Sequence, residues 1–257
     1  MIGAEPPTTA LATRPPMRQA AGMTTKPLAF VCAMPMELTP LTRELALTET
    51  EVGGFAVHRG ALDGRDVVAI VTGMGTELAT AAIERLLDAL DVEHVLVVGI
   101  TGALENETPI GTLVLPEVVV LGASGREHRP TRIGDSEHEG RMWTTDTLTT
   151  DLEVLAELRE QGVVSLDMET AAIAHACEQR GIPWSVFRAI SDRASDGSVD
   201  AEVFAMSNQD GTPNEAAITA FLEKYPERIP MLAQMAEDST LATERAAAAA
   251  IEAARTL

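Results

Sequence analysis

Three acidic residues each follow an apolar stretch of this 257-residue sequence: Glu37, Glu169 and Asp192. If those stretches are strands of one sheet, the three carboxylates converge on one crevice. Converging carboxylates repel one another, so at least one of them should have a raised pKa. A carboxyl group with a raised pKa can donate a proton near neutral pH, so the set indicates general acid–base chemistry.

Each acid also has a plain structural explanation when it is taken alone. Glu37 and Glu169 suit the first turn of a helix, where the helix dipole favours a negative charge. Asp192 suits a helix cap or a turn. The occurrence of all three at predicted strand ends favours a functional site, but residue type and spacing alone do not name a reaction.

The elements that must position these acids alternate between strands and helices. Short, almost wholly apolar runs predict strands at residues 28–33, 55–62, 66–72, 95–98, 111–121, 163–168 and 184–190. Apolar residues at helical spacing predict helices at residues 37–47, 77–90, 169–180, near 214–223 and within 230–254. Asp63-Gly64 predicts a hairpin. Gly73–Gly75 and Gly99–Ala103 predict glycine turns, and the polar segment Gly122–Gly140 predicts a loop.

This alternation predicts an α/β fold, a single three-layer α/β/α domain with a mixed, mainly parallel central sheet. Ligands of such sheets bind at the carboxyl ends of the strands, which is where the three acids stand. We expect a disordered leader at residues 1–26 and a catalytic domain at residues 27–236. Residues 237–257 should form an alanine-rich C-terminal helix or tail.

Composition narrows the possible partners. The formal net charge of −20 argues against nucleic acid and against an anionic membrane surface. No apolar run approaches the roughly 18 residues of a membrane span. The two cysteines, Cys32 and Cys177, stand in apolar contexts that suit core positions in a reducing compartment. Because residues 1–26 lack the apolar segment of a secretory signal, the expected compartment is the cytoplasm.

Five short motifs carry a resemblance to a known family. They are Ala-Met-Pro-Met-Glu at 33–37, Thr-Gly-Met-Gly at 72–75, Val-Gly-Ile-Thr-Gly-Ala-Leu at 98–104, Leu-Asp-Met-Glu-Thr-Ala-Ala-Ile-Ala at 166–174 and Arg-Ala-Ile-Ser-Asp at 188–192. In this order they resemble the nucleoside phosphorylase and nucleosidase superfamily. Within it the chain is most similar to the 5′-methylthioadenosine/S-adenosylhomocysteine nucleosidases.

The resemblance implies four catalytic residues. Asp192 would be the general acid that protonates the purine at N7, and Ser191 would hold Asp192 in place. Glu37 would position and deprotonate the attacking water, with Arg188 in the same network. A proton donor and a positioned water each contribute on the order of 10²–10⁴ in rate.

The resemblance also implies the residues that bind the substrate. Glu169 would bind the ribose hydroxyls and stabilise a cation-like transition state, and Met168 would pack on the sugar. The other positions matched to the substrate site are Asp167, Met34, Ile100, Thr101, Gly102 and Leu148. The resemblance further implies a homodimer that acts on a small nucleoside and uses neither a metal nor an organic cofactor.

Whether water or phosphate attacks depends on an anion site. The phosphorylases of this superfamily hold phosphate with an arginine and a serine near the fourth-strand turn. The matching positions are Val97 and Ile100, whose side chains cannot bind an anion. The prediction is therefore hydrolysis of the N-glycosidic bond of a purine nucleoside, releasing a free base and a ribose derivative.

Three departures from the family leave the substrate open: bulky Ile100, Leu148 in place of an aromatic, and the short segment Gly122–Gly140. They favour a different nucleoside, such as a menaquinone-pathway adenosine derivative, or a loss of activity. The alternatives are a phosphorylase, a nucleoside-binding protein without turnover, and a deoxyribosyl or other transferase.

Two other motifs are weak. Gly73-Met74-Gly75 lacks the third glycine of a dinucleotide-binding turn. A metal site at His128, Asp135, Glu137 and His138 would lack ligand spacing on a rigid element.

Overall fold

A computed structural model of the protein describes residues 26–257. The strands are β1 (Leu28–Cys32), β2 (Thr48–Val52), β3 (Phe55–Leu62), β4 (Arg65–Val71), β5 (His94–Ala103), β6 (Leu113–Val114), β7 (Val118–Leu121), β8 (Arg126–His128), β9 (Arg141–Thr144), β10 (Val163–Asp167) and β11 (Trp184–Arg193). The α-helices are α1 (Pro35–Glu44), α2 (Thr76–Ala89), α3 (Leu152–Glu160), α4 (Thr170–Gln179), α5 (Ala201–Phe204), α6 (Glu215–Lys224) and α7 (Ile229–Ala254). The predicted leader at residues 1–26 lies, except for Lys26, outside the described residues.

All of these strands belong to one mixed sheet, ordered β2-β3-β4-β1-β5-β10-β9-β7-β8, with β11 paired to β5 and to β6. The pairs that join β4, β1, β5 and β11 are parallel. The hairpin β3–β4 turns at Asp63 and Gly64, as Asp-Gly predicts. The three-layer α/β architecture with a mixed central sheet is confirmed.

Helices cover both faces of the sheet because the central strands are apolar on both sides. One core cluster packs β1, β5 and β11 against α2 and α4, and includes Ile83, Leu86 and Ile173. The other packs the opposite face against α1 and α7, and includes Leu41 and Ala250. The carboxyl ends of β1, β4, β5 and β11 therefore meet at one edge of a rigid layer.

Strand β5 changes its neighbour at the functional end of the sheet. Its first half, His94–Val97, pairs with β1, whereas Gly102 and Ala103 pair with β10. The prediction of a glycine turn at Gly99–Ala103 is wrong, because β5 continues through it to residue 103. The glycines of this stretch do not reverse the chain; they leave room for other groups to approach β5 closely.

Two further predictions are corrected. The strand predicted at Gly111–Leu121 is divided into β6 and β7, since Pro116 has no N–H to donate to a ladder. The predicted loop Gly122–Gly140 contains β8, whose three residues are too short to show a period. Strands β2 and β9 and helix α3 were not predicted.

The C-terminal helix α7 runs without a break across residue 236, where the sequence suggested a domain boundary. Its second half belongs to the core, with Ala242, Ala246 and Ala250 fully buried. Small side chains let this helix pack closely on β5 and β11. Cys32 and Cys177 are free and buried, as predicted. Among residues 26–257, no helix is both long and apolar enough to cross a bilayer.

Candidate active site

A half-open cleft of about 300 Å³ lies at the carboxyl ends of the central strands. Every site residue predicted from the sequence lines it: Met34, Glu37, Ile100, Thr101, Gly102, Leu148, Asp167, Met168, Glu169, Arg188, Ser191 and Asp192. They come from the ends of β1, β5, β10 and β11 and from the loop after β9. The sheet thus brings together residues that are up to 158 positions apart in sequence.

Glu37 is fixed in the first turn of α1, 1% exposed. Its Oε2 accepts hydrogen bonds from the backbone N–H groups of Ala33 (2.7 Å) and Met34 (3.0 Å). Its Oε1 accepts from the Ile100 N–H at 2.8 Å. That N–H is available because β5 has left β1 at this point and has not yet reached β10. Burial raises the pKa of Glu37 against the opposing effect of Arg188 and these N–H donors.

Gly99 permits this approach of Glu37 to β5. A Cβ atom at residue 99 would lie 2.1 Å from Glu37 Oε1 and 2.6 Å from Arg188 Nη1. No side chain fits there without displacing both groups, which explains a glycine inside a buried strand.

Arg188 is the centre of a buried charge cluster and is 2% exposed. Its Nη1 donates to Glu37 Oε1 (3.3 Å) and to the Ile100 carbonyl (3.0 Å). Its Nη2 donates to Asp167 Oδ2 (2.9 Å) and Glu169 Oε2 (3.2 Å). One guanidinium therefore faces three carboxylates, and the cluster keeps an excess of negative charge when all are ionised.

Glu169 joins this cluster to the turn before α2, because its Oε1 accepts from the Gly75 N–H at 2.9 Å. Burial raises the pKa of Glu169 to about 8, with Asp167 and Glu37 adding to the rise and Arg188 opposing it. Asp167 accepts from the Thr170 N–H (2.9 Å) and from Thr144 Oγ1 (2.6 Å). The sequence led us to expect a raised pKa from repulsion between converging acids. The pKa of Glu169 is raised, but burial contributes more than the neighbouring carboxylates do.

We expect the fold to lose stability as pH rises from about 4.5 to about 8. The folded-state pKa of Glu169 lies above its ordinary value, so protonation favours the folded state. The stabilisation is complete below 4.5 and is lost as pH rises through about 8. The midpoint of thermal unfolding should fall over this range, and Glu169→Gln, which stays neutral, should flatten the fall.

The matched control is Glu223→Gln, because Glu223 is an exposed glutamate on α6. This variant should keep the wild-type pH dependence of the unfolding midpoint. A Glu169→Gln protein with the wild-type pH dependence would show that Glu169 does not titrate as described.

Asp192 lies near the end of β11, on the opposite side of β5 from β1. The β5–β11 register shifts between Ile190 and Asp192, which makes Ser191 an extra residue in the strand. Neighbouring side chains of a regular strand point to opposite faces, and this bulge instead lets both line the cleft. Ser191 Oγ donates to Asp192 Oδ1 at 2.6 Å. Burial raises the pKa of Asp192.

The second oxygen of Asp192 is free to act on a ligand. Within residues 26–257, Oδ2 accepts no hydrogen bond. A Cβ atom on Gly102 would lie 3.1 Å from this oxygen, so Gly102 keeps the space beside it open. A carboxyl group with a raised pKa, held by one oxygen and open at the other, is suited to donate a proton.

Apolar side chains that the sequence did not single out form a further part of the cleft wall: Met36, Met74, Ala194, Val199, Val203, Phe204 and Met235. Met74 stands in the glycine turn and could have been found by its position after a strand. Phe204 and Met235 gave no signal, because an apolar residue on a helix looks like core.

The segment from Ser207 to Pro213 closes over the Met34 and Met74 wall. The Met74 N–H donates to the Gln209 carbonyl at 2.7 Å. A Cβ atom on Gly211 would lie 2.9 Å from Met34 Cα. This end of the cleft follows β4 and β1, so it lies on the opposite side of β5 from Asp192.

The histidines of the weak metal motif have other partners. His128 Nδ1 lies 2.7 Å from Glu178 Oε2, and His138 Nδ1 lies 3.3 Å from the Pro116 carbonyl. Within residues 26–257, no group of three or more His, Cys, Asp or Glu side chains has the arrangement of a metal site. Val97, one of the two positions matched to a phosphate site, is core and does not line the cleft.

The sequence model of the Phosphorylase superfamily matches residues 27–136 and 127–227. A 5′-methylthioadenosine/S-adenosylhomocysteine nucleosidase from Colwellia psychrerythraea is 29% identical over 201 residues, covering 64% of this chain and 83% of the relative.

Solved structures share the fold. One is the 5′-methylthioadenosine/S-adenosylhomocysteine nucleosidase from Neisseria meningitidis in complex with methylthio-immucillin-A. Its TM-score is 0.69 at 19% identity, and the match covers 90% of this chain and 100% of that chain. Futalosine hydrolase from Helicobacter pylori has a TM-score of 0.59 at 20% identity, covering 83% of this chain and 98% of that one.

Proposed function

The chain belongs to the phosphorylase superfamily, and on that basis we propose that it hydrolyses the N-glycosidic bond of a purine nucleoside. The observation that carries this proposal is the charge of the cleft. Four acidic side chains line it (Glu37, Asp167, Glu169 and Asp192), and among the described lining residues Arg188 is the only lysine or arginine. Both Nη atoms of Arg188 already donate to carboxylates. A phosphate dianion would therefore meet repulsion and find no arginine whose Nη atoms are free to bind it, which favours water as the nucleophile.

The reaction divides between the two sides of β5. Asp192 Oδ2 donates its proton to the purine, the bond from the sugar to the base breaks, and the base leaves neutral. Water adds to the sugar carbon, and Glu37 accepts the proton that this water loses. The 3.3 Å contact between Glu37 Oε1 and Arg188 Nη1 is the longest that Glu37 makes, so Oε1 is the oxygen best placed to bind the water.

The negative cluster also stabilises the transition state. Cleavage of the glycosidic bond places positive charge on the sugar ring. Glu169, with Gly75 and Arg188 as its fixed partners, would bind the ribose hydroxyls, and Met168 would pack on the ring. The excess of carboxylates over guanidinium is in place before the charge develops, which is the arrangement that lowers a barrier electrostatically.

For the substrate we propose an adenosine derivative with an apolar 5′-substituent, such as the methylthio group. The end of the cleft remote from Asp192 is apolar, with Met34, Met36 and Met74. The 5′-carbon and the base are attached at opposite ends of the ribose. With the base beside Asp192, the apolar end of the cleft would receive the 5′-substituent. A futalosine-type nucleoside is the second candidate, since Leu148 stands where the family stacks an aromatic residue on the base. We also propose that the protein acts as a homodimer in the cytoplasm.

The test is a panel of 5′-methylthioadenosine, S-adenosylhomocysteine, aminodeoxyfutalosine, adenosine and inosine, assayed for free base with and without phosphate. We expect release from at least one 5′-substituted adenosine, at a rate that phosphate leaves unchanged. Release that requires phosphate would establish a phosphorylase. Ligand-induced stabilisation without release, even at high protein concentration, would establish a binding protein.

A further inference from the structure

The seven residues between β9 and α3 (145–151, here the threonine loop) form one wall of the cleft. Thr145, Thr147, Leu148, Thr149 and Thr150 all line it. The loop contains no helix or strand, so its position over the cleft depends on a few specific contacts.

At the start of this loop the Thr145 N–H donates to the Asp167 carbonyl of β10 at 2.9 Å, and Asp146 joins the loop to a second rigid element. Its Oδ1 accepts from the Thr76 N–H and its Oδ2 from Thr76 Oγ1, each at 2.7 Å. Thr76 is the first residue of the 14-residue helix α2, where backbone N–H groups have no partner within the helix. Within the described chain, the hydrogen bonds that residues 146–150 make to another element all come through Asp146.

The neighbouring N–H of the same turn holds a second cleft residue. Gly75 N–H donates to Glu169 Oε1 at 2.9 Å, one residue before Thr76. A Cβ atom on Gly75 would lie 3.4 Å from Asp146 Oδ1, which shows how closely the two acids share this turn. Adjacent amides at the start of α2 thus fix both the threonine loop and the carboxyl group proposed to bind the ribose.

We infer that Asp146 is a positioning residue, which holds the threonine loop against α2 so that Leu148 and its neighbours form the base-binding wall. This inference rests on the proposed function. It assigns Asp146 no contact with the reacting atoms, so its loss should weaken binding of the base and leave the chemical step almost unchanged.

The test compares Asp146→Ala and Asp146→Asn with the wild type. The binding of adenine is measured by calorimetry. The values of kcat and KM are measured with 5′-methylthioadenosine as substrate. Asp146→Ala should raise the Kd for adenine and the KM about tenfold, the size of effect that losing a capping carboxylate has on a helix start, with kcat within about threefold. Asp146→Asn keeps an acceptor oxygen for the Thr76 N–H, and should recover most of the binding.

Thr80→Ala is the matched control. Thr80 Oγ1 donates to the Thr76 carbonyl at 2.7 Å, one turn further along α2, so its loss perturbs the same helix without touching the loop. It should leave both the Kd and the KM at wild-type values. The inference is overturned if Asp146→Ala binds adenine normally, if Thr80→Ala weakens binding as much, or if Asp146→Asn recovers nothing.

The adenine measurement separates this inference from the proposed function. A wild-type protein that binds adenine but releases no base from any nucleoside contradicts the proposed hydrolysis, and Asp146 is still tested by the Kd. A wild-type protein that binds no adenine contradicts the base-binding wall itself.

Discussion

Replacing Asp192 by asparagine is expected to lower the rate of base release about 10²- to 10⁴-fold, the range for loss of a positioned proton donor. Asparagine has nearly the same shape and can still accept the Ser191 hydroxyl, which lies 2.6 Å from Asp192 Oδ1. It cannot transfer a proton to the purine. Nucleoside affinity should therefore stay within a few-fold of wild type, while kcat falls.

Two further variants serve as comparisons for Asp192→Asn. Asp196→Asn removes an exposed carboxylate from the same segment that does not line the cleft. Its charge adds less than burial does to the raised pKa of Asp192, so this variant should keep activity within a few-fold of wild type. Ser191→Ala leaves Asp192 without its one side-chain donor, and should lose less activity than Asp192→Asn. Single-turnover release of base, with affinity measured separately, distinguishes these effects. Normal hydrolysis by Asp192→Asn would contradict the assigned mechanism.

Replacing Arg188 by methionine is expected to destabilise the fold by about 3–5 kcal/mol, the cost of leaving buried charges without their partner. Glu37, Asp167 and Glu169 all face this guanidinium and are themselves buried. Methionine keeps much of the side-chain volume, so the loss would come from charge rather than from a cavity. Urea unfolding at neutral pH measures the change in the free energy of unfolding.

The destabilisation by Arg188→Met should shrink as pH falls, because Glu37 and Glu169, whose pKa is raised by burial, then take up protons and the repulsion within the cluster weakens. Arg159→Met is the control, since Arg159 is half-buried and donates to the Leu104 carbonyl and to Ser195 Oγ, each at 3.1 Å. It faces only one carboxylate among the described residues, that of the exposed Glu105 at 3.3 Å. This substitution should cost clearly less. An Arg188→Met protein as stable as wild type would show that the cluster does not depend on the guanidinium.

The sequence could predict that these acids meet in one cleft because the candidate site is built at strand ends. Short apolar runs locate β1, β10 and β11, and the acids follow at once, so Glu37, Glu169 and Asp192 could be named from local pattern alone. The parallel alternation of strands and helices then requires that these ends meet at one edge. Their individual roles came from the resemblance and stay predictions.

What the sequence could not predict depends on contacts between distant segments. The passage of β5 from β1 to β10 is a property of the whole sheet, and Gly99–Ala103 reads locally as a turn. The reason for Gly99 is visible only when Glu37, 62 residues earlier, is in place. The bulge at Ser191 likewise follows from pairing and has no sequence period.

Helix α3 differs from these cases, because its signal was present. Asp151 caps it by accepting from Glu153 N and Val154 N. Leu152, Leu155 and Leu158 follow at helical spacing, so cap and period together predict a helix here. The short strands β6 and β8 have two and three residues, which is too few for any alternation to be seen.

The central claim, that water rather than phosphate attacks the sugar, is tested most directly with isotope. The 5′-substituted adenosine that gives the fastest base release is turned over in ¹⁸O-labelled water that also contains phosphate, and the sugar product is analysed by mass spectrometry. A cleft with four acidic side chains, in which both Nη atoms of Arg188 already donate to carboxylates, predicts a free sugar that carries one labelled oxygen. An unlabelled sugar phosphate would contradict it.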